Sequence, residues 1–410
     1  MSKRSFLLLQ GVASPFFLQL ADRLKAHGHH VCKINFNAGD VASWGGRKSS
    51  SFRGRPQELK DFLDGIYRAH AITDQILFGD RRPVHRPAID HADALGIRTH
   101  VFEEGYFRPH WVTLEREGVN GHSLLPRDPE WFWAVGENLG TAGTVVPFSS
   151  RFSARAAYDV AYHLAGLLNP LFFPRYRTHA GVTAPVEYLG YIKRFSLLRW
   201  WEPRDARLIE GLVASKALYY VLPLQLNSDA QIRDHSRFES MAEVIEYVIS
   251  SFARQAPSLS RLVIKNHPLD MGLVPYEKTI ARLARDFDVA GRVDYLESGN
   301  LELLVTHARG LVTVNSTVGC VSLGLDCPTT SLSDPIYNLP GLTFQGALDD
   351  FWEHGQPPDG ELFRRFRNAV IHTTQVNGGF YCCNGIELAV RNSVAVLEAE
   401  ISPLERLMEL

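Results

Sequence analysis

Short apolar runs alternate with segments of helical periodicity in the first 110 residues. The runs predict strands, and the segments, in which apolar residues recur every three or four positions, predict helices. The predicted strands lie at 5–10, 30–37, 74–80 and 98–105, and the predicted helices at 15–27, 56–70 and 87–95. Alternation of this kind is typical of a parallel sheet wrapped by helices, so we expect an α/β domain here.

The same alternation returns in the second half of the chain. Strands are predicted at 217–225, 260–268, 292–298 and 310–317, and helices at 239–254, 275–287, 301–308 and 359–370. We therefore expect a second α/β domain. The domain boundaries are predicted at 1–150 and 206–370, and a helical tail at 371–410 is expected to pack back on the first domain.

The segment between the two domains, 151–205, breaks the alternation. It is rich in arginine and aromatic residues, and up to residue 201 it carries only two acidic residues, Asp159 and Glu187. The pattern predicts two or more amphipathic helices that bridge the domains. It fits an ordinary helical linker, and it also fits a membrane-binding surface, because basic and aromatic side chains suit the lipid headgroup region.

Composition and cysteine spacing narrow the class of protein. The formal net charge of the 410 residues is −2, so no basic excess indicates a nucleic-acid partner. The five cysteines show no CxxC spacing, which favours reduced thiols in a cytoplasmic protein and argues against a zinc site. No apolar run reaches the roughly 18 residues of a membrane-spanning helix. The short apolar stretch near the N-terminus predicts a first strand rather than a signal peptide.

Polar residues follow the predicted strands of the first domain. They are Gln10, Asn37, Asp80, Arg81 and the carboxylate pair Glu103 and Glu104. Because parallel strands end at the same edge of a sheet, we expect these side chains to face one cleft. Charged groups at the end of a buried strand cost desolvation energy unless something there uses them. The sequence therefore predicts a functional site at this edge.

The stretch VIKNHP ends a predicted strand of the second domain. Lys265 and His267 can both donate to a phosphate, and Pro268 fixes the turn. The alternative is a histidine that merely caps the strand end, which is the commoner outcome for so short a motif.

The stretch TVNST lies where another predicted strand turns into a helix. Asn315, Ser316 and Thr317 place amide and hydroxyl groups beside free backbone N–H groups, which together form a ready anion site. The alternative is an ordinary helix N-cap. With Lys265 and His267 in the same domain, phosphate binding is the favoured interpretation.

The stretch LPLQLNSDAQI places Gln225 at a strand end and Asp229 in a polar loop. We expect Asp229 to face Glu103 and Glu104 across the cleft, since two carboxylates that meet over a sugar are what glycosyl transfer uses. The alternative is a loop aspartate that only forms a turn.

Taken together, these motifs resemble the bacterial capsule polysaccharide biosynthesis family, and in particular its KpsS/LipB type. The matching stretches are FEEGYFRPHWVTLE, Q…SDAQI, KNHP, NST and DPIYNLPGLTFQG, with FGDRRPVH, GVNGHSLLPRDP and TQVNGGFY in support. The resemblance implies a GT-B fold, in which two Rossmann-like domains face a central cleft. It also implies a retaining glycosyltransferase that moves Kdo from CMP-β-Kdo to a phosphatidylglycerol-type lipid, adding the first β-Kdo of a capsule linker.

The resemblance also implies roles for individual residues. Asp229 is the expected nucleophile and Glu103 the acid/base, with Glu104 raising the pKa of Glu103 by repulsion. Donor phosphate and cytidine contacts are expected from Lys265, His267, Pro268, Asn315, Ser316 and Thr317. Independently of the resemblance, contacts to Kdo or to the acceptor are expected from Gln10, Arg81, Arg108, His110 and Gln225. The alternative for the arginines is that they are solvated surface residues.

Neither a metal nor another cofactor is expected, because a single donor phosphate needs no divalent ion. The expected location is the cytoplasmic face of the inner membrane, in contact with its surface and with other capsule proteins. Two alternatives remain. One is a transferase for another CMP sugar, such as sialic acid, and the other is a non-catalytic protein of capsule export or assembly.

Overall fold

The structure is a computed structural model that describes residues 3–140, 143–176, 184–226 and 236–409. The chain divides into two units. Unit 1 comprises Met1–Pro126, Glu137–His179 and Arg367–Leu410, and unit 2 comprises Arg127–Gly136 and Ala180–Phe366. The predicted α/β class, with parallel strands and helices in two units, is confirmed. The facing of the units across a cleft stays a prediction.

Unit 1 is built on a seven-stranded sheet with the order β12-β6-β5-β4-β1-β2-β3. Its strands are β1 Ser5–Leu8, β2 His30–Asn35, β3 Ser50–Ser51, β4 Asp74–Phe78, β5 Arg98–Glu104, β6 Trp111–Arg116 and β12 Gln375–Asn377. The strands β1 to β5 are parallel, as predicted. The expectation of a purely parallel sheet is corrected, because β6 runs antiparallel to β5 and β12 runs antiparallel to β6.

The helices of unit 1 cover both faces of this sheet. They are α1 Phe16–Ala26, α2 Ala38–Ser43, α3 Leu59–His70, α4 Arg86–Asp93, α6 Phe152–Gly166, α7 Asn169–Phe172, α15 Cys383–Glu398 and α16 Pro403–Met408. Alternation along the first strand explains the two layers. Phe6 and Leu8 join a core with α1 and α15, whereas Leu7 and Leu9 join a second core with α3 and α4. The apolar run is therefore buried on both faces, as in other parallel sheets.

Unit 2 contains a five-stranded parallel sheet with the order β11-β10-β7-β8-β9. Its strands are β7 Tyr219–Pro223, β8 Arg261–Lys265, β9 Val293–Leu296, β10 Gly310–Thr313 and β11 Thr329–Ser331. Its helices are α5 Pro129–Asn138, α8 Ala184–Ala214, α9 Met241–Gln255, α10 Tyr276–Asp286, α11 Leu301–Thr306, α12 Val318–Gly324, α13 Leu348–His354 and α14 Gly360–Thr374, of which α5 and α14 extend past the unit boundary. The carboxyl ends of β7, β8 and β10 are neighbours at one edge.

The segment 151–205, predicted as one bridge, is divided between the units. Helices α6 and α7 belong to unit 1, where α6 packs on α2. Helix α8 belongs to unit 2 and continues through Pro203 to Ala214, where Ile209 and Leu212 enter the core. In the C-terminal part, α15 packs on α1 of unit 1. None of the described helices is both long and apolar enough to span a membrane.

Candidate active site

The carboxylate pair at the end of β5 points in two directions. Adjacent residues of a strand alternate between the faces of a sheet, so Glu104 shares the face of Phe102. One oxygen of Glu104 accepts a hydrogen bond from the Tyr381 hydroxyl at 3.2 Å and lies 3.5 Å from a guanidinium nitrogen of Arg155. Burial, and next the charge of Glu104, raises the pKa of Tyr381. Glu104 is thus engaged with two side chains of unit 1.

Glu103 lies on the other face, toward the neighbouring strand β4. Its Oε1 accepts the backbone N–H of Glu104 at 2.9 Å. Its Oε2 would lie 3.2 Å from a Cβ placed on Gly79, whose φ of +70° also favours glycine. Glycine at this turn therefore gives the Glu103 carboxylate room at the edge of the sheet. The expected effect of Glu104 on the pKa of Glu103 stays a prediction.

An imidazole that we did not predict lies at the same edge. Asp80 is buried, and its Oδ2 accepts a hydrogen bond from Nδ1 of His122 at 2.9 Å. A carboxylate partner on Nδ1 directs the other ring nitrogen, Nε2, toward the guanidinium of Arg81. Arg81 is thus linked to Asp80 through His122. The only signal for His122 in the sequence is its place in the motif GVNGHSLLPRDP.

Gln10 is enclosed by a network that helix α6 completes. It is 2% exposed, and its amide nitrogen lies 3.4 Å from a carboxylate oxygen of Asp40 and 3.2 Å from the Tyr162 hydroxyl. Tyr162 donates to Asp40 at 2.9 Å and accepts from Asn37 at 2.7 Å. Burial, and next the charge of Asp40, raises the pKa of Tyr162. The network holds α6 over the ends of β1 and β2.

Arg108 and His110 lie in the loop between β5 and β6. The exposed Arg108 donates from Nε to the Gly105 carbonyl at 3.4 Å. The His110 ring makes an edge contact with Phe148, with 5.2 Å between ring centroids. The Nδ1 of His110 is buried and has no hydrogen-bond partner among the described residues.

The His-Pro stretch begins with a buried ammonium. Lys265 is 5% exposed, and its Nζ lies 3.4 Å from the Asn266 carbonyl. Within the described part of the chain, no carboxylate forms an ion pair with it. Burial, and next the charge of Arg194, lowers the pKa of Lys265. A buried ammonium with unused donors attracts an anionic ligand.

The loop that carries His267 is held by a residue of α8. Arg194 is 2% exposed and donates from Nη1 to the carbonyls of Pro268 at 2.8 Å and Asp270 at 2.9 Å. It also donates from Nη2 to the Glu297 carbonyl at 3.1 Å and from Nε to the Glu297 carboxylate at 3.2 Å. We did not predict Arg194, since in the sequence it is one basic residue of the supposed bridge.

Two other predicted residues meet beside this loop. The side-chain amide of Gln225 donates to the Asn315 side-chain oxygen at 3.0 Å, and Asn315 returns a backbone N–H bond at 3.3 Å. These bonds join the ends of β7 and β10. Ser316 accepts the Val318 backbone N–H at 3.2 Å, and Thr317 precedes α12 without a side-chain cap bond. Ser316 thus behaves partly as the cap that we had considered as the alternative.

Asp229, the expected nucleophile, lies outside the described residues. Its pairing with Glu103 stays a prediction, as do the substrate contacts of the other candidate residues. The edge of unit 1 offers carboxylates and an imidazole for proton transfer. The edge of unit 2 offers an ammonium, an imidazole and amides for anion binding. Within the described part of the chain, the one group of three potential metal ligands lies elsewhere, on β2 and α3.

Comparison with known proteins gives a consistent set of relatives. A family model described as capsule polysaccharide biosynthesis protein matches residues 73–381, which include every residue with a predicted catalytic or substrate-binding role except Gln10. The capsule polysaccharide export protein KpsS of Escherichia coli is 34% identical over 93% of this chain and 98% of its own length. The capsule polysaccharide modification protein LipB of Neisseria meningitidis serogroup B is 35% identical over 93% of this chain and 92% of its own length.

Among solved structures, KpsC of Thermosulfurimonas dismutans, a beta Kdo 2,7 transferase, aligns over 96% of this chain and 100% of that chain. The sequence identity is 14% and the TM-score is 0.44.

Proposed function

Because the chain belongs to the capsule polysaccharide biosynthesis family, we propose that it is a retaining glycosyltransferase that uses CMP-β-Kdo. It moves Kdo to a phosphatidylglycerol-type lipid and forms the first β-Kdo of a capsule polysaccharide linker. The relative named for capsule modification supports an enzymatic role.

The observation that carries the proposal is the buried Lys265 beside the fixed His-Pro loop. A nucleoside monophosphate supplies an anion that can contact this ammonium directly, and His267 lies two residues away on the same loop. Ammonium and imidazole donors stabilise the negative charge on the departing CMP, which accelerates cleavage of the bond to the sugar. Ser316, Thr317 and the Gln225–Asn315 pair follow the carboxyl ends of β7 and β10, at the same edge of the sheet as Lys265.

Retention of configuration follows from two displacements. Asp229 attacks the anomeric carbon of Kdo, and the bond to CMP breaks with its electron pair on the phosphate. The acceptor hydroxyl then attacks the same carbon while Glu103 takes its proton and the Asp229 carboxylate leaves. No metal ion enters either step. Arg81, Arg108 and His110 bind the Kdo carboxylate or the acceptor phosphate in this mechanism.

The lipid acceptor requires contact with a membrane surface, and unit 1 carries an apolar feature suited to it. The turn from α6 to α7, residues 164–172, is here called the elbow. It exposes Leu164 by 60%, Leu167 by 62% and Leu171 by 74%. Asn169 anchors its base by accepting the Ala38 backbone N–H at 2.8 Å. The elbow thus exposes leucines that suit the lipid headgroup region. It follows helix α6, whose Arg155 lies close to Glu104.

A second candidate function is a non-catalytic role in capsule export or assembly, which is favoured by the KpsS relative being named an export protein. A transferase for another CMP sugar, such as sialic acid, is the other alternative. It predicts an inverting reaction, in which the acidic pair supplies the base and Asp229 is structural.

The test is incubation of purified protein with CMP-Kdo and vesicles that contain phosphatidylglycerol. We expect CMP release and a β-linked product by NMR.

Glu103→Gln should abolish transfer and leave CMP binding intact, while the exposed Glu302→Gln serves as a matched control with unchanged activity. Full activity of Glu103→Gln would reject its role. No CMP release by the wild type would favour the export function, and a Kdo adduct on Asp229 by mass spectrometry would exclude the inverting alternative.

A further inference from the structure

Two imidazoles and a thiol meet at the edge of the unit 1 sheet opposite the candidate active site. His30 and Cys32 are two residues apart on β2, so both side chains point to the same face of the sheet. His70 is the last residue of α3. One potential ligand atom from each of the three residues lies within 4.8 Å of the other two. The spacing of cysteines in the sequence gave no sign of this group, because its third member comes from another element.

The hydrogen bonds of Ser5 orient His30 toward the group. The Ser5 hydroxyl donates its single hydrogen to the His70 carbonyl at 2.8 Å. Its oxygen lies 3.0 Å from Nδ1 of His30 and therefore accepts a hydrogen bond from that nitrogen. A neutral His30 then carries its proton on Nδ1 and keeps the lone pair of Nε2 available. A partner on the second ring nitrogen is the usual way in which proteins orient a metal-binding histidine.

The distances suit a small divalent ion after modest side-chain rotation. The Cys32 sulfur lies 3.7 Å from Nδ1 and 3.9 Å from Nε2 of His30. A tetrahedral zinc ion, with bonds of about 2.0–2.3 Å, sets its ligand atoms about 3.5 Å apart. The ring of His70 stacks on His30, with 5.3 Å between centroids and 20° between planes. It must turn its edge toward the ion, and it is exposed and has room to do so.

We propose that His30, Cys32 and His70 form a site for a divalent transition-metal ion, such as Zn²⁺ or Co²⁺, that ties the start of β2 to the end of α3. Nitrogen and sulfur ligands select such ions over Mg²⁺ and Ca²⁺. The site is structural, and it is independent of the glycosyl-transfer mechanism because it lies away from the strand ends that carry Glu103.

The test is titration of the full chain with Co²⁺ under reducing conditions. We expect one equivalent to bind with a thiolate-to-cobalt absorption band in the near ultraviolet, and we expect Zn²⁺ but not Mg²⁺ to displace it. Cys32→Ser should remove the band, and His70→Ala should weaken binding at least 100-fold. Ser5→Ala should weaken it about 10–100-fold, since it keeps all three ligands but loses the orienting contact.

The exposed residues Cys383 and His354 supply matched controls, because Cys383→Ser and His354→Ala should bind Co²⁺ like the wild type. Zn²⁺ should also raise the melting temperature of the wild type but not of Cys32→Ser. Three results would overturn the proposal: no stoichiometric binding by the wild type, binding without the thiolate band, or equal binding by wild type and Cys32→Ser. None of these results depends on transferase activity, so the metal site and the proposed function succeed or fail separately.

Discussion

Replacing Arg194 by lysine tests whether α8 sets the geometry of the donor site. Arg194 makes four hydrogen bonds, two of them from Nη1 to the carbonyls of Pro268 and Asp270. Lysine keeps the charge but has a single ammonium in place of the guanidinium fork. It cannot reach Pro268, Asp270 and Glu297 together, so at least one bond to the loop is lost.

The size of the effect follows from these bonds. A hydrogen bond from a charged donor contributes about 1.5–3 kcal/mol. Loss of one bond to the loop carbonyls, about 2 kcal/mol, corresponds to roughly 30-fold weaker CMP binding if the bound state needs the ordered loop. The free energy of unfolding of unit 2 should fall by about 2 kcal/mol for each buried hydrogen bond that lysine cannot replace.

The assay is calorimetric titration of the wild type and of Arg194→Lys with CMP. It is done at a temperature at which circular dichroism shows that both proteins are folded. Arg261→Lys is the matched control. Arg261 begins β8, the strand that Lys265 ends, and bonds to both oxygens of Asp294 at 2.7 Å. This control should lose stability but keep its CMP affinity. In turnover, Arg194→Lys should raise KM for the donor more than it lowers kcat, since Arg194 does not touch the reacting atoms.

Two outcomes would refute the reasoning about Arg194. One is wild-type CMP affinity in Arg194→Lys despite a lower melting temperature, which would make the residue purely structural. The other is an equal loss of affinity in Arg261→Lys, which would show that any weakening of unit 2 impairs the site. If the wild type itself binds no CMP, the proposed donor site is wrong.

Two further predictions concern unit 1. Burial lowers the pKa of Lys33 from 10.5 to about 8. Between these two pH values the unfolded chain binds more protons than the folded chain. The free energy of unfolding therefore rises with pH over this range, by about 3 kcal/mol in all. Lys33→Met should lack this rise in urea unfolding, and parallel curves for the two proteins would contradict it. Replacing Leu167 and Leu171 of the elbow by aspartate should reduce co-sedimentation with phosphatidylglycerol vesicles at least tenfold. Leu259→Asp, at a position that is 88% exposed, should not.

Much of the fold could be predicted because the parallel strands are buried on both faces and appear as continuous apolar runs. The ends of these runs also indicated where Glu103 and Lys265 would lie. The antiparallel strands β6 and β12 escaped prediction for a physical reason. β12 has only three residues, and its pairing of Gln375 with Thr113 joins distant parts of the chain. A local pattern cannot report a partner so far away in sequence.

The candidate site was predictable only in part for a similar reason. The sequence identified residues at strand ends, but the residues that orient them come from other elements. His122 contacts Asp80 from the segment after β6, and Tyr162 contacts Asp40 from α6. Long-range contacts of this kind leave no periodic signal. Strand alternation alone, however, already predicts that Glu103 and Glu104 face different surroundings.

Helix α8 shows why composition could not distinguish a linker from a membrane surface. Its inner face holds the loop that carries His267 through Arg194 and through Tyr191, whose hydroxyl donates to the Leu269 carbonyl at 3.2 Å. Its outer face exposes apolar residues over the same turns, with Leu189 and Ile192 each 67% exposed. Basic, aromatic and aliphatic residues are therefore mixed in the sequence but separated around the helix axis. The contacts of the inner face account for Arg194 without a membrane. Only the exposed residues on the outer face of α8 therefore bear on membrane binding.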